Sequence, residues 1–230
     1  MHDRRSEIRG RLRRIVDQHV RPAERRHVVD LTVRAWHVPP APDGSVGEPV
    51  PFAEARDQEY AAFAIGDPWG PAWATTWFRL AGEVPSDVAR PELLVDLGFQ
   101  GGMPGFQCEG LVHRPDGTHV KALNPFNDWA PAVAGEVVDL YVEAAANPHV
   151  LTGWSPTALG DKQTSSPDDP VYRLLAAAVV DVDPEVREAR LAARDHDRPD
   201  WVEFWERGES YYFAEVRPVE SFDLVVASPE

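Results

Sequence analysis

The stretch that decides the fold runs from Gly66 to Ala146. It opens with GDPWGPAWATTWFRLAGEVP (66–85) and closes with EVVDLYVEAAANP (136–148). Between these ends, short apolar runs alternate with Gly, Pro and Asp-Gly pairs. Such runs are typical of strands, and the residues between them favour turns. The stretch therefore predicts a set of short antiparallel strands, and with them a mainly β fold.

Two segments carry this prediction most clearly. In Glu136–Ala145 every second residue is apolar, which indicates a strand with one face in a core. Tyr141 lies on the other face, between two acids. The triplet Pro115-Asp116-Gly117 separates two further strand-like runs and predicts a β-hairpin. An apolar run at 171–182 fits a strand or a buried helix equally well, because periodicity alone does not separate them.

The flanks of this stretch predict helices and loops. Residues 4–20 place apolar side chains at helical spacing on an otherwise charged segment, which favours a basic amphipathic helix. Short helices are expected at 52–63 and 184–195, and further strands at 210–217 and 221–227. The sequence thus predicts a helix and lead-in over 1–38, a β-sandwich core over 39–150, and an irregular segment with strands and a helix over 151–230.

Composition excludes several classes of function. The chain has 230 residues and a formal net charge of −15, which argues against a nucleic-acid partner, because phosphate groups are bound by clustered Lys and Arg. Cys108 is its single cysteine, which excludes a disulfide framework and a thiolate metal cluster. No apolar run is long enough to span a bilayer, and the amino terminus is polar and Arg-rich. We therefore expect no membrane partner and a cytoplasmic location.

Several blocks in order resemble the amino-terminal region of bacterial class II α-mannosidases, glycoside hydrolase family 38. They begin with the Arg-rich residues 1–26 and VDLTVRAWHVP (29–39). The most specific block is 66–85, with three Trp framed by Gly, Pro and Thr. The later blocks end with TGWSPTALGDKQTSSPDDPVYRL (152–174), and the resemblance covers roughly 1–190 but not 195–230. It implies a jelly-roll or galactose-binding-like β-sandwich, the non-catalytic amino-terminal domain of an enzyme that hydrolyses α-mannosides.

The resemblance also implies where the chemistry resides. In this family the catalytic carboxylates and a divalent metal belong to the catalytic domain, which begins with a His-x-Asp pair in a strand. No such pair in that context occurs here. We therefore expect no catalytic residue, no metal site and no cofactor in this chain, and no activity from the chain alone.

The aromatic residues are the most suggestive candidates for a binding site. Trp69 and Trp73 lie in a Pro-rich stretch, and Trp129 follows Asn124, Asn127 and Asp128. A Trp face can stack on a sugar ring while amides and carboxylates bind its hydroxyls. Trp is equally typical of protein interfaces, and the adjacent prolines favour a rigid loop presented to a protein. These six residues are the predicted carbohydrate or partner contacts.

Other chemistry-bearing residues favour plain structural interpretations. His113 and His119 flank the predicted hairpin and are expected to face each other as a solvated pair rather than a zinc site. Asp96 and Glu109 flank a Gly-rich loop and are expected to be structural or solvated carboxylates. Cys108 is expected to be a small buried apolar residue.

Three functions follow as alternatives. The first is a domain that braces or assembles an α-mannosidase catalytic domain or another subunit. The second is a free-standing carbohydrate-binding module for mannosides. The third is an oligomerisation module whose Arg-rich helix docks on an acidic neighbour, since residues 1–34 contain ten Arg and five acids.

Overall fold

The computed structural model describes residue 11 and residues 14–99, 105, 107–148, 151–152, 155–156 and 170–188. The chain divides into two compact units, residues 25–182 and residues 1–24 with 183–230. This division differs from the three predicted parts. Residues 25–37, which we had assigned to a lead-in, supply one strand to each of the two main sheets of the larger unit.

The larger unit contains two main antiparallel sheets. The six-stranded sheet consists, in spatial order, of β3 (Ala61–Phe63), β2 (Thr32–His37), β5 (Thr75–Glu83), β10 (Val137–Ala145), β7 (Glu109–His113) and β8 (His119–Leu123). The four-stranded sheet consists of β1 (Arg25–Asp30), β14 (Ala176–Val182), β6 (Pro91–Asp96) and β9 (Trp129–Pro131). Two small ribbons pair β4 (Pro68–Pro71) with β13 (Pro170–Arg173), and β11 (Leu151–Thr152) with β12 (Ser155–Pro156).

The main core is formed by apolar side chains that alternate along these strands. On β10, Val142 and Ala144 are completely buried, as are Leu93 and Leu97 on and after β6. Burial of one such aliphatic side chain stabilises the fold by roughly 1.5–3 kcal/mol. The predicted alternation is therefore confirmed, and so is the mainly β class.

A second, smaller cluster covers the other face of the six-stranded sheet. This outer cluster consists of Ala55, Tyr60, Trp77 and Tyr141, with Trp36, Val38, Val50 and Phe52 packed against it. Tyr141 is only 4% exposed, because Phe52 and Tyr60 pack edge-on against its ring. The alternation placed Tyr141 between two acids on this face but did not predict that other residues would cover it.

The segment that covers this face is less helical than predicted. Helix α2 spans only Phe52–Arg56. Residues 61–63, which we expected to continue the helix, instead form the edge strand β3 and pair with β2. The helix therefore ends at Arg56, and residues 61–63 pair with the sheet instead.

Two other local predictions are settled by the backbone. Strands β7 and β8 form the expected hairpin, and Gly117 in its turn has a φ of +89°, which glycine adopts without strain. The ambiguous run at 171–182 is extended. It contributes to β13 and then forms β14, which pairs with both β1 and β6.

The smaller unit is described over few residues. A π-helical turn at Val16–Val20 leads into α1 (Arg21–Glu24). A helical turn at 184–188 begins at Asp183, whose carboxylate accepts backbone N–H bonds from the next turn. Arg187 binds Glu24 at 2.9 Å. Most of the predicted helix 4–20, the rest of 184–195 and the strands 210–217 and 221–227 lie outside the described residues.

Candidate functional site

Trp69, the first candidate contact, lies in the main core. Its side chain is 1% exposed, and its Nε1–H donates to the Leu97 carbonyl oxygen at 2.8 Å. Its ring stacks on Tyr172 with centroids 5.3 Å apart. The β4–β13 pairing brings these two aromatics together from distant parts of the chain. Trp69 therefore anchors the β4–β13 ribbon and presents no ring face to a ligand.

Trp73 occupies the turn between β4 and β5. It has a φ of +72°, in the left-handed region that bulky residues rarely adopt. Its backbone N–H donates to the Ala146 carbonyl oxygen at 2.8 Å, which holds the turn against the end of β10. Such a conformation costs on the order of 1–3 kcal/mol and persists only where its surroundings enforce it. The half-buried Trp73 is thus a constrained turn residue.

The other four candidates are adjacent, at the turn before β9. Asn124 and Asn127 pair through their backbones, and the Asn124 carboxamide oxygen accepts N–H bonds from Phe126 and Asn127 at 2.9 and 3.1 Å. Phe126, at the tip of this turn, is 59% exposed. The Asn124 side-chain oxygen therefore stabilises the turn rather than facing a ligand.

Asp128 and Trp129 are also engaged within the domain. Asp128 accepts a 2.7 Å bond from the Arg25 guanidinium, which connects β9 to β1 across the four-stranded sheet. The Lys121 ammonium of β8 lies 3.0 Å from the centroid of the half-buried Trp129 ring. This cation–π contact joins the edges of the two sheets. The structure thus brings Asn124, Asn127, Asp128 and Trp129 together, but separates them from the core residue Trp69.

Two clefts border the β4–β13 ribbon. One has a volume of about 330 Å³, and its lining includes His37, Val46, Trp69, Pro71, Thr76 and Pro170. The other has a volume of about 320 Å³, and its lining includes Pro68, Phe99, Pro170, Val171, Tyr172 and Leu175. The sequence did not predict these two clefts, because the ribbon that they border forms from segments about a hundred residues apart.

Two exposed aliphatic side chains lie next to the β4–β13 ribbon. Ile65 is 44% and Leu175 is 52% exposed. The Gly66 N–H donates to the Leu174 carbonyl oxygen at 2.7 Å, which holds together the backbone segments that carry these two residues. This end of the sandwich, defined by Ile65, Leu175 and the two clefts, is called the ribbon end below.

Asp96, one of the two carboxylates that flank the Gly-rich loop, and Cys108 both have structural surroundings. Asp96 accepts backbone N–H bonds from Gly98 and Phe99 at 2.9 and 3.1 Å. Burial raises the pKa of Asp96, and those two bonds oppose the rise. Cys108 is completely buried, and burial raises the pKa of its thiol. Both residues therefore serve the fold, as expected for Cys108.

His113 and His119 do meet across the hairpin, with ring centroids 4.9 Å apart. His113 is only 3% exposed, however, so the expectation of a solvated pair was wrong for this member. Its ring stacks on Phe52 at 5.1 Å and lies beside Trp77. The hairpin signal predicted the pairing, but the rings that cover His113, Phe52 of helix α2 and Trp77 of strand β5, are distant from it in sequence.

Two negative observations apply to the part of the chain that the structure describes. Within it, no three or more His, Cys, Asp or Glu residues are grouped in a way that would hold a metal ion. None of its helices combines the length and apolarity required to cross a bilayer.

Comparison with known proteins agrees with the architecture. The family described as "Alpha-mannosidase, jelly roll domain" matches residues 29–180, which include strands of both sheets and the ribbon. A search of curated proteins found no match. Because the family match covers well over half of the chain, the chain belongs to the family of α-mannosidase jelly-roll domains.

Proposed function

We propose that this jelly-roll domain is non-catalytic and braces or assembles the catalytic domain of an α-mannosidase of glycoside hydrolase family 38. The observation that carries the proposal is the ribbon end. There, Ile65 and Leu175 are exposed beside two clefts, while the ribbon itself is anchored from within by Trp69. A rigid surface with exposed aliphatic side chains suits contact with another protein domain.

The state of the predicted sugar contacts supports the same function. Trp69 is in the core, Asn124 holds a turn, and Asp128 binds Arg25. A sugar site needs an aromatic face with free hydrogen-bonding groups beside it, and these side chains already have partners inside the domain. A carbohydrate-binding module at this turn is therefore the weaker proposal.

The bracing function can be tested with a family 38 catalytic domain from which its own jelly-roll domain has been removed. The full chain is mixed with it, and binding is measured by sedimentation velocity. Hydrolysis of a chromogenic α-mannoside with divalent metal is followed in parallel. We expect a complex and a catalytic domain more resistant to heat. The chain alone is expected to show no hydrolysis above a boiled control, and hydrolysis by the chain alone would contradict the proposal.

Charge placed at the ribbon end sharpens this test. The double variant Ile65→Asp, Leu175→Asp is expected to lose binding, because two carboxylates would have to be desolvated in the contact. The control is Val137→Asp, at a more exposed aliphatic residue that is 79% exposed at the start of β10. Equal loss in both variants would remove the ribbon end from the proposal.

The two alternatives give different results. A carbohydrate-binding module predicts saturable quenching of tryptophan fluorescence by mannose, which Trp129→Phe abolishes. An oligomerisation module driven by the Arg-rich residues 1–34 predicts a self-associated chain that dissociates as salt rises from about 0.05 to 0.5 M, since salt screens exposed charges. We retain the cytoplasm as the proposed location of all three.

A further inference from the structure

His113 is a buried titratable residue that the proposed function does not use. It lies on β7, at 3% exposure, between elements that are far apart in the chain. Its ring is stacked on Phe52 of helix α2, with centroids 5.1 Å apart and planes 8° apart, and is tilted against Trp77 of β5. The same Phe52 ring lies against Tyr141. His113 is thus a residue through which the β7–β8 hairpin contacts helix α2, beside Gly117 of the hairpin turn, whose backbone also lies against Phe52.

The polar atoms of this ring are poorly satisfied. Among the described residues, neither ring nitrogen makes a well-formed hydrogen bond. The nearest carboxylate oxygen, on Glu143 of β10, is 3.7 Å from Nε2, too far for a hydrogen bond. A buried donor without a partner costs roughly 1–3 kcal/mol even in a neutral ring. A second proton would add a charge in the same surroundings.

Among the described groups that face the ring, the acidic neighbour of that charge is Glu143, which lies within ion-pair distance but does not form a hydrogen bond with the ring. Helix α2 and β5 present the aromatic rings of Phe52 and Trp77. Strand β8 presents His119, another cation when protonated. Strand β10 presents Glu143, a half-buried acid whose pKa is raised by its own burial.

The remaining ionisable groups of this face have partners of their own. Arg79, which follows Trp77 on the same face, is bound by Asp139. Arg56 of α2 is bound by Asp57, and Asp116 of the hairpin turn accepts the Thr118 N–H. None of these is among the described ring contacts of His113.

We propose that His113 is an acid-sensitive lock, which holds the β7–β8 hairpin and helix α2 against the outer face of the six-stranded sheet while neutral and releases them when protonated. Release would expose the aromatic surface of the outer cluster, including Trp77 and Tyr141. The stacked geometry, the absence of satisfied ring nitrogens and the adjacent His119 all point in this direction.

The direction of the pH effect follows from these surroundings. Burial, and secondarily His119, lower the pKa of His113, while a backbone contact with Gly117 acts in the opposite direction. The locked state therefore binds a proton less readily than the open state, in which imidazole titrates near ~6.5. The lock is stable above that pH and weakens as pH falls through it towards the lower pKa of the locked state. Glu143 has a raised pKa, so its contribution runs the other way, at more acidic pH.

Hydrogen exchange of the full chain tests the proposal. Exchange is compared at pH 7.5 and 6.0, after correction for the chemical rate, in peptides from 50–58 and 109–123. We expect the opening equilibrium of both peptides to increase several-fold at pH 6.0, within the tenfold per pH unit that one proton allows. Peptides from β6 and β14, in the main core, are expected to stay unchanged and serve as internal controls.

Variants show whether His113, rather than another titrating group, causes the pH dependence of the exchange. His113→Phe keeps a stacked ring without a titrating group and is expected to remove the pH dependence, and His113→Gln serves if the Phe variant does not fold. His119→Gln should retain the dependence but reduce its size, because loss of a neighbouring cation raises the pKa of His113 in the locked state towards that of the open state. Glu143→Gln should leave the response between pH 7.5 and 6.0 in place. An unchanged pH response in both His113 variants, or greater protection of the wild type at pH 6.0, would overturn the proposal.

Discussion

The main core and the outer cluster each contain a buried tryptophan, but the indole N–H groups of these two residues differ in their hydrogen bonding. Trp69 in the main core and Trp77 in the outer cluster are 1% and 0% exposed. The indole N–H of Trp69 donates to the Leu97 carbonyl oxygen. That of Trp77 has no partner among the described residues. The buried indole of the main core is therefore satisfied, whereas the indole of the outer cluster and both ring nitrogens of the adjacent His113 are not.

This difference indicates separate roles for the two regions. The main core is largely aliphatic and lies between two sheets whose strands pair along their length. The outer cluster is aromatic, and a short helix and loop cover it from one side. Regions that depend on few buried contacts and unsatisfied polar atoms open at lower free energy than a main core. We therefore expect the fold to depend on the main core and local adjustment to occur at the outer cluster.

Truncating one aromatic ring in each region gives the largest expected effect. Trp69→Ala removes a fully buried ring, its stacking on Tyr172 and its hydrogen bond, and should lower the free energy of unfolding by about 3–5 kcal/mol. Phe52→Ala removes a half-buried ring from the outer cluster and should cost roughly 1–3 kcal/mol. Urea unfolding followed by far-ultraviolet circular dichroism measures both. Equal losses would break the distinction between the two regions.

Replacing each tryptophan by phenylalanine isolates the hydrogen bond. Both changes remove part of a buried ring, but only Trp69→Phe leaves a buried carbonyl oxygen, that of Leu97, without its indole donor. Trp77→Phe instead removes an unsatisfied N–H. We expect Trp69→Phe to cost about 1–3 kcal/mol more than Trp77→Phe in the same urea experiment. A larger cost at Trp77 would show that its N–H has a partner after all.

The parts of the fold that were predictable from sequence are those set by neighbouring residues. Alternation along β10 identified the buried Val142 and Ala144, and Pro115-Asp116-Gly117 identified the hairpin, because strand faces and tight turns are local properties. The resemblance to the α-mannosidase family identified the jelly roll.

The features that were missed depend on contacts between distant segments. The Pro-rich residues around Trp69 read as an exposed loop, but pairing with β13 draws them into the core. His113 was expected to be solvated, and Tyr141 was placed between two acids on the face opposite the core, but Phe52 packs on both. Local patterns give the two faces of a strand, and they do not reveal which loop will cover a face. For the same reason the ribbon end had no sequence signal.

The smallest effect concerns an ion pair at the border of the outer cluster. Arg79 binds Asp139 through two hydrogen bonds of 2.8 and 3.0 Å, and its guanidinium carbon lies 5.4 Å from the Tyr141 ring centroid. The side chains of Arg79 and Asp139 are 42% and 36% exposed, so water and salt screen their attraction. A double-mutant cycle with Arg79→Gln and Asp139→Asn should give a coupling of about 0.2–1 kcal/mol that declines at high salt.

A larger coupling energy between Arg79 and Asp139 that persists at high salt would indicate that more than the ion pair contributes. The contact of Arg79 with the Tyr141 ring would then contribute in addition to the ion pair, since cation–π attraction gains strength as water is excluded. Tyr141→Leu in the same cycle separates the two, because leucine keeps apolar cover over Arg79 but has no ring. If the coupling falls on this change, the rim of the outer cluster is held partly by the ring beneath it. If it stays the same, the pair is an ordinary surface ion pair and the stability of the outer cluster resides in its aromatic packing.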